Sequence, residues 1–185
     1  DFDSLAAEPD VSLYYVQQAD DLGEPDLILL PGSKNTTEDL LYLRQSGIEA
    51  RIRARVDTGT PLWGICGGYQ MLGENLSDPH GVEAGGTMRG IGLLPVDTVF
   101  AEHKTRTQVC GKFLELDEEF APLKNVEFTG YEIHMGETIL REGTSPLIKL
   151  LTDQETDTGL VDGGVNEAKT VYGTYFHGIF DSSAF

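Results

Sequence analysis

Positively charged residues are scarce in this sequence, which has 13 lysines and arginines against 31 aspartates and glutamates and a formal net charge of −18. A surface of that sign repels nucleic acid, and no basic stripe interrupts it, so we expect no nucleic-acid partner. No apolar run is long enough to span a membrane. Residues Asp1 to Ser4 lack the basic and apolar character of a signal peptide. These absences predict a soluble, cytoplasmic protein.

Cysteine is almost as rare, with Cys66 and Cys110 the two in the chain. Two cysteines are too few for a disulfide framework. Neither they nor the four histidines show the spacing of a zinc site, so we expect no metal. Proline is also infrequent, and 39% of the 185 residues are hydrophobic, which indicates one folded domain of ordinary size.

Short apolar runs alternate with amphipathic segments in the first half of the chain, which predicts an α/β fold with a mostly parallel, twisted sheet flanked by helices. The predicted strands there are residues 11–16, 26–30 and 61–65. The predicted helices are residues 37–44, with Thr36 or Thr37 as the cap, 48–57, and one that follows Cys66 to about residue 75. Longer strands predict an antiparallel elaboration at 93–100, 105–113, 126–133 and 147–151. A hairpin over 159–165 and a last strand over 171–176, ending at His177, complete the expected order.

The strongest chemical pattern is Gly64-Ile65-Cys66-Gly67-Gly68, which stands between a predicted strand and a predicted helix. It matches the nucleophile elbow, in which a sharp turn exposes the reactive side chain and glycines avoid collisions. A cysteine at a helix N-terminus is favoured as thiolate, and the following N–H can face an oxyanion. The alternative interpretation is an inert, buried cysteine in a glycine-rich turn.

A thiolate mechanism needs a base, and the candidates are His80, His103, His134 and His177. His80 and His103 lie in polar turns or loops, where exposure is the usual outcome. His177 follows a buried strand and precedes Gly178, which places it at the carboxyl edge of the sheet together with Cys66. The pattern therefore favours a Cys66–His177 pair.

The strand that ends at Pro31-Gly32-Ser33 exposes consecutive backbone N–H groups, which could form the second half of an oxyanion hole. Taken alone, this segment is only a turn.

Four segments in order resemble the C-terminal class I glutamine amidotransferase domain, flavodoxin-like in fold, of the cobyric acid synthase branch of the cobyrinate-amidating group. They are LLPGSKNTTEDL at 29–40, GICGGYQMLG at 64–73, GYEIHMG at 130–136 and GTYFHGIFD at 173–181. The first and third are narrower motifs than the C-x-G-x-Q pattern that many class I amidotransferases share. The resemblance covers nearly the whole chain.

The resemblance implies that Cys66 attacks glutamine to form a thioester while His177 serves as general base. It implies oxyanion donation by the backbone N–H groups of Gly67 and of Gly32 or Ser33. It also implies substrate binding by Gln70, with less definite roles for Glu132 and His134; a structural role for His134 is equally open. No cofactor is implied for this domain.

One residue departs from the wider class I pattern. Most class I amidotransferases have a glutamate two residues after the catalytic histidine, whereas this sequence has Ile179 two residues after His177. Asp181, Glu132 or a backbone carbonyl could orient His177 instead, and our hypothesis is a dyad without a carboxylate.

The resemblance further implies an ATP-dependent synthase domain upstream in the same polypeptide, which would hold ATP and Mg²⁺ and amidate carboxylates of a corrin substrate. The expected product is adenosylcobyric acid from adenosylcobyrinic acid a,c-diamide. Residues 1–185 would then be one amidotransferase domain, cut at both ends, and missing its first parallel strand. Such a fragment is expected to be poorly stable or to self-associate. The alternatives are an amidotransferase subunit that serves a peptidoglycan-precursor ligase, and an amidotransferase-like scaffold without activity.

Overall fold

The computed structural model describes residues 2–102, 105–114, 116–151 and 157–181. The α-helices are α1 Asp3–Ala7, α2 Thr36–Gln45, α3 Ile48–Asp57 and α4 Gly67–Leu72. The first seven strands are β1 Ile28–Leu30, β2 Leu62–Ile65, β3 Asn75–Asp78, β4 Gly86–Arg89, β5 Val96–Val99, β6 Thr105–Phe113 and β7 Glu127–His134. The others are β8 Glu137–Leu140, β9 Thr144–Ser145, β10 Ile148–Leu151, β11 Asp157–Asp162, β12 Gly164–Asn166, β13 Val171–Thr174 and β14 Phe176–His177. Short 3-10 helices span Ala19–Leu22, Glu118–Leu123 and Ile179–Asp181.

The strands form three sheets. The first has the order β1-β2-β13-β12-β9, and its β1, β2 and β13 run parallel. The second has the order β11-β10-β6-β7-β14 and is antiparallel throughout its described pairs. The third, β4-β3-β5-β8, is mixed. The expected α/β class is confirmed, and the antiparallel part is larger than the sequence indicated.

The two longest helices lie within one residue of their predicted bounds. Asn35 caps α2, because its side chain accepts a hydrogen bond from the Glu38 N–H at 3.2 Å. The prediction of Thr36 or Thr37 as the cap is therefore wrong, and the cap lies one residue before Thr36. Gly47 separates α2 from α3 with φ of 78°, a left-handed conformation that glycine adopts without strain. Helix α3 spans the predicted residues, and no helix in the described part of the chain is long and apolar enough to cross a membrane.

The core lies between the first two sheets and is centred on Trp63 of β2. Its indole stacks on Tyr172 of β13 at 4.8 Å between ring centroids, and it meets Phe113 of β6 edge-on at 5.8 Å. All three side chains are almost fully buried. Aromatic pairs in these geometries add to the free energy gained from burial alone. The packing fixes the parallel strands against the antiparallel sheet that carries β14.

Two predictions for the first half of the chain are wrong. Residues 11–16 form no strand; they run across an apolar cleft of about 540 Å³ beside β1, and Tyr15 is 73% exposed. Their β-branched and aromatic side chains favour extended backbone, but a strand also needs a partner, and no strand among the described residues pairs with them. The helix after Cys66 ends at Leu72, and β3 begins at Asn75.

Two predictions for the last third also fail in detail. Residues 159–165 are not a simple hairpin, because β11 joins the second sheet and β12 the first. Residues 171–176 are not one strand: β13 ends at Thr174, and β14 begins at Phe176 in the other sheet. The chain thus changes sheets at Tyr175. His177 consequently belongs to the antiparallel sheet rather than to the end of a parallel strand.

Candidate active site

Cys66 occupies the sharp turn between β2 and α4, and its backbone is strained. Its φ is 52° and its ψ is −109°, which places a non-glycine residue in a region that L-amino acids rarely adopt. The glycines around it are required by close packing. A methyl group on Gly68 would lie 2.0 Å from the Leu30 carbonyl oxygen, and one on Gly64 would lie 2.8 Å from the Tyr69 nitrogen. The turn therefore has the strand–turn–helix geometry of a nucleophile elbow, and the role of Cys66 as nucleophile stays a prediction.

The segment after β1 lies directly against this elbow. A methyl group added to Gly67 would meet the Ser33 backbone nitrogen at 2.8 Å. The Gly67 and Ser33 backbones are therefore neighbours, and their role as oxyanion donors stays a prediction. The Ser33 hydroxyl donates to Asp39 at 2.5 Å and accepts from the Asn35 N–H at 3.0 Å, which fixes the turn that precedes α2.

A carboxylate from a distant loop also holds this turn. Glu83 accepts hydrogen bonds from the backbone N–H groups of Thr36 and Thr37, at 2.9 and 2.8 Å, at the start of α2. Asp78 organises the loop that carries Glu83, because its carboxylate accepts from the N–H groups of Val82, Glu83 and Gly85, each at 2.8 Å. Although desolvation raises the pKa of Asp78, these bonds outweigh it and leave the pKa lowered.

His177 reaches the same place from the other sheet. A methyl group on Gly32 would lie 3.3 Å from His177 Cε1 and 3.6 Å from Cys66 Cβ, so both side chains border one point. A side chain there would fill the gap between the two groups. The structure thus brings Cys66, His177 and the Gly32 turn together at one end of the parallel strands. It places His80 exposed in a turn, and His103 lies outside the described residues.

Strand β7 forms the wall that faces Cys66. The Cys66 thiol donates to the Ile133 carbonyl oxygen at 3.4 Å. Tyr131 is the register partner of His177, and the two rings are stacked at 5.2 Å with an angle of 7° between their planes. The GYEIHMG segment that the resemblance singled out therefore lines the site with its backbone and with Tyr131.

His134 is held inside this wall by two contacts. Its Nδ1–H donates to the Gly136 carbonyl oxygen at 2.8 Å, which leaves Nε2 as the acceptor of the neutral ring. The ring is also stacked on Tyr175 at 3.7 Å. Desolvation lowers the pKa of His134, and the nearby His177 adds to this effect, while the Gly136 bond opposes it. A neutral His134 is expected at neutral pH, and the choice between a substrate-binding and a structural role stays open.

Gln70 is buried on α4, and its amide joins a chain of side chains behind the site. Its Nε2 donates to the Tyr175 hydroxyl at 3.2 Å, and its Oε1 accepts from the Thr36 hydroxyl at 3.2 Å. The Tyr175 hydroxyl continues to Thr138 at 2.6 Å, which contacts Thr98 at 2.8 Å. These bonds leave part of the hydrogen-bonding capacity of the amide for a ligand. Substrate binding by Gln70 stays a prediction.

Asp162 is a buried carboxylate at the point where the chain changes sheets. It accepts hydrogen bonds from the Thr174 hydroxyl and from the Tyr175 N–H, the latter at 3.2 Å. Desolvation raises the pKa of Asp162 to about 7, against the effect of these bonds. The Thr174 hydroxyl in turn accepts from the Phe176 N–H at 3.0 Å. Asp162 therefore fixes the bend that directs the chain toward His177.

The carboxylates proposed to orient His177 are placed as follows. Glu132 is the register partner of Phe176, so alternation along β7 puts its side chain on the other face from Tyr131 and His177. Desolvation raises the pKa of Glu132. Asp181 accepts from the Ser4 hydroxyl at 2.5 Å. Glu132 therefore faces away from His177, and the dyad without a carboxylate stays a hypothesis.

Tyr131, Tyr175, Asp162 and Glu83 are site residues that the sequence did not single out. Tyr131 lies inside a quoted motif and could have been flagged as an aromatic residue beside the Cys–His pair, whereas the others act through contacts that cross between elements. Among the residues that the structure describes, no group of three or more histidine, cysteine or acidic side chains converges as metal ligands would.

Comparison with known proteins gives a consistent family. The whole chain, residues 1–185, matches the CobB/CobQ-like glutamine amidotransferase domain. It is 46% identical over 183 residues to a cobyric acid synthase of Pelotomaculum thermopropionicum, covering 98% of this chain and 35% of that protein. It is also 46% identical over 187 residues to a cobyric acid synthase of Klebsiella pneumoniae, covering 100% of this chain and 36% of that protein. The chain thus spans about a third of the length of these relatives.

Solved structures support the fold. A crystal structure of a glutamine amidotransferase has a TM-score of 0.68 at 20% identity, covering 95% of this chain and 82% of the other. PurLQS from Thermotoga maritima has a TM-score of 0.69 at 18% identity, covering 95% of this chain and 79% of the other. With the family match over its full length, the chain belongs to the CobB/CobQ-like glutamine amidotransferase domain family.

Proposed function

We propose that this chain is the glutamine-hydrolysing domain of a cytoplasmic cobyric acid synthase, with Cys66 as nucleophile and His177 as general base. The observation that carries the proposal is the convergence of the strained Cys66 turn and the His177 ring on the space beside Gly32. The identity to cobyric acid synthases over nearly the whole chain supports the assignment to that branch of the family.

In the proposed reaction, His177 takes the thiol proton as Cys66 Sγ attacks the amide carbon of glutamine. The carbonyl oxygen becomes an oxyanion, which accepts hydrogen bonds from the backbone N–H groups of Gly67 and of Gly32 or Ser33. When the tetrahedral intermediate collapses, the carbon–nitrogen bond breaks and His177 returns the proton to the departing ammonia. A water molecule then attacks the γ-glutamyl thioester, with His177 again accepting a proton, and glutamate leaves as the thiol re-forms.

The ammonia would be used outside this chain. An ATP-dependent synthase domain of the same polypeptide would bind ATP, Mg²⁺ and the corrin substrate, adenosylcobyrinic acid a,c-diamide. It would activate corrin carboxylates, and the ammonia would convert them to amides to give adenosylcobyric acid. The covered share of the relatives, about a third, leaves room for such a domain.

The first test is ammonia release from glutamine by the full-length protein and its Cys66→Ala variant. Removal of the nucleophile is expected to lower the rate by roughly a thousandfold or more. Cys110→Ala is the matched control, because Cys110 is the other cysteine and lies on β6 rather than in the turn between β2 and α4. This variant should retain the wild-type rate.

A well-folded wild-type protein that releases no ammonia from glutamine, with or without its synthase substrates, would favour the inactive scaffold. Glutaminase activity in a protein whose ATP-using domain is separately encoded and belongs to a peptidoglycan-precursor ligase would favour that alternative.

A further inference from the structure

His177 lacks the acidic residue that usually follows two positions later, and the residue in that place cannot replace it. Ile179 is 1% exposed and packs in the hydrophobic core. A general base must present the correct nitrogen to the nucleophile, so another contact has to fix the plane of the imidazole ring.

The strand that carries His177 is too short to hold this residue in place without a neighbouring strand. β14 consists of Phe176 and His177 alone, and β7 is the strand paired with it. β7 in contrast is eight residues long, and its register with β6 continues from Thr105–His134 to Lys112–Glu127. Pairing with β7 therefore holds the backbone of His177 in the sheet.

Tyr131 is the residue of β7 that directly faces His177. The two residues are register partners, and their rings lie nearly parallel, with 7° between the planes and 5.2 Å between the centroids. We propose that Tyr131 is the positioning residue of the catalytic histidine, holding the imidazole plane by stacking and stabilising its protonated form. The inference rests on the proposed roles of Cys66 and His177.

The chemistry of the pair explains why an aromatic ring suits this place. When His177 accepts the thiol proton it becomes an imidazolium ion, and the electron-rich face of an aromatic ring attracts a cation. The stack also limits rotation of the imidazole about its side-chain bonds. Tyr131 is 45% exposed, so it supports the ring from the solvent side and its removal does not empty the core.

Other titratable groups surround the imidazole and remain unchanged in the test. Cys66 approaches from the β2–α4 turn. His134 lies on β7 and interacts electrostatically with His177. Asp181 follows on the same segment, while Glu132 lies on the opposite face of β7. A difference between variants at residue 131 therefore reports the stacking ring.

The experiment compares Tyr131→Phe, which keeps the ring, with Tyr131→Leu, which keeps apolar bulk without a ring. Ammonia release by the full-length protein is measured as kcat and KM for glutamine. Phenylalanine should keep kcat within about twofold of wild type. Leucine should lower kcat about tenfold or more with little change in KM, because the misaligned base affects the chemical step.

A second measurement does not depend on glutamine turnover. The rate at which iodoacetamide alkylates Cys66 is followed against pH by mass spectrometry of the Cys66 peptide, with the Cys110 peptide as internal reference. Loss of the ring should destabilise the imidazolium that forms when His177 takes the proton of Cys66. In Tyr131→Leu the alkylation rate near pH 7 should therefore fall about three- to tenfold, and the profile should move to higher pH. Tyr131→Phe should match wild type.

The inference would be overturned if the pH profiles of wild type and Tyr131→Leu coincided. It would also be overturned if Tyr131→Phe were impaired as much as Tyr131→Leu, because the tyrosine hydroxyl rather than the ring would then be the group that matters. Failure of the proposed function has a different signature, namely ammonia release that survives Cys66→Ala.

Discussion

Gly32 follows β1 and Gly68 lies in α4 just after Cys66, and an added methyl group would meet different atoms at each. At Gly68 it would meet three backbone atoms, the Leu30 carbonyl oxygen at 2.0 Å, the Leu30 carbonyl carbon at 2.7 Å and the Pro31 oxygen at 2.8 Å. At Gly32 it would meet His177 Cε1 at 3.3 Å and Cys66 Cβ at 3.6 Å. The first position is closed by the fold, and the second is the space where the reaction is proposed to occur.

Stability and activity should therefore separate in the two alanine variants. Gly68→Ala should lower the free energy of unfolding by at least about 2 kcal/mol, because backbone atoms must move. Gly32→Ala should change it by less than about 1 kcal/mol but reduce ammonia release about a hundredfold, since the methyl group occupies the substrate's place. Urea unfolding and the ammonia assay check both, and a fully active Gly32→Ala protein would contradict the location of the site.

At the scale of elements, the junction between β13 and β14 depends on Asp162. Burial raises the pKa of the Asp162 carboxyl from 3.8 to about 7, and negative Glu132 adds to this effect. The tyrosines Tyr69 and Tyr175 are close neighbours and have raised pKa values of their own, chiefly from desolvation. Because the folded protein holds the Asp162 proton more tightly than the unfolded chain, this contribution to stability is present below pH about 4. It is lost as the pH rises through about 7.

The Asp162→Asn variant should therefore show a flatter dependence of stability on pH. The difference between 3.8 and about 7 corresponds to roughly 4 kcal/mol as an upper bound over the whole pH range, of which about 3 kcal/mol falls between about pH 4.5 and 7.5. The variant should therefore lose between about 2 and 3 kcal/mol less than wild type over that interval. Asp26→Asn is the matched control, because Asp26 is exposed. Urea unfolding at several pH values gives the profiles, and parallel curves for wild type and Asp162→Asn would contradict the expectation.

Elements with local signals were predictable from the sequence. Helices α2 and α3 follow from their apolar spacing, their caps and Gly47, and the Cys66 elbow follows from its glycines. The change of sheet at Tyr175 was not predictable, because the bend depends on hydrogen bonds from Asp162, which lies in another strand. The Tyr131–His177 stack likewise depends on the register between β7 and a two-residue strand. Residues 11–16 have strand-forming side chains, but sheet formation is decided by the available partner.

At the scale of the whole molecule, the net charge of −18 opposes the compact state through repulsion among acidic side chains. Added salt screens this repulsion, so raising NaCl from about 0.01 M to about 0.5 M at pH 7.5 should increase the Tm by several degrees. The control is the same titration near pH 4.3, the isoelectric point, where the net charge vanishes and the increase should be much smaller. Thermal unfolding measures both, and equal increases at the two pH values would show that the salt acts by another route.

Because the chain changes sheets at Tyr175, Cys66 and His177 are attached to different sheets. Cys66, the proposed nucleophile, follows β2 of the first sheet, and His177, the proposed base, belongs to β14 of the second. A sliding of one sheet past the other by a single ångström would alter the sulfur–imidazole separation although neither residue had been touched. If Cys66 and His177 have the proposed roles, a contact that shifted β7 would therefore change the rate of glutamine cleavage without touching either residue.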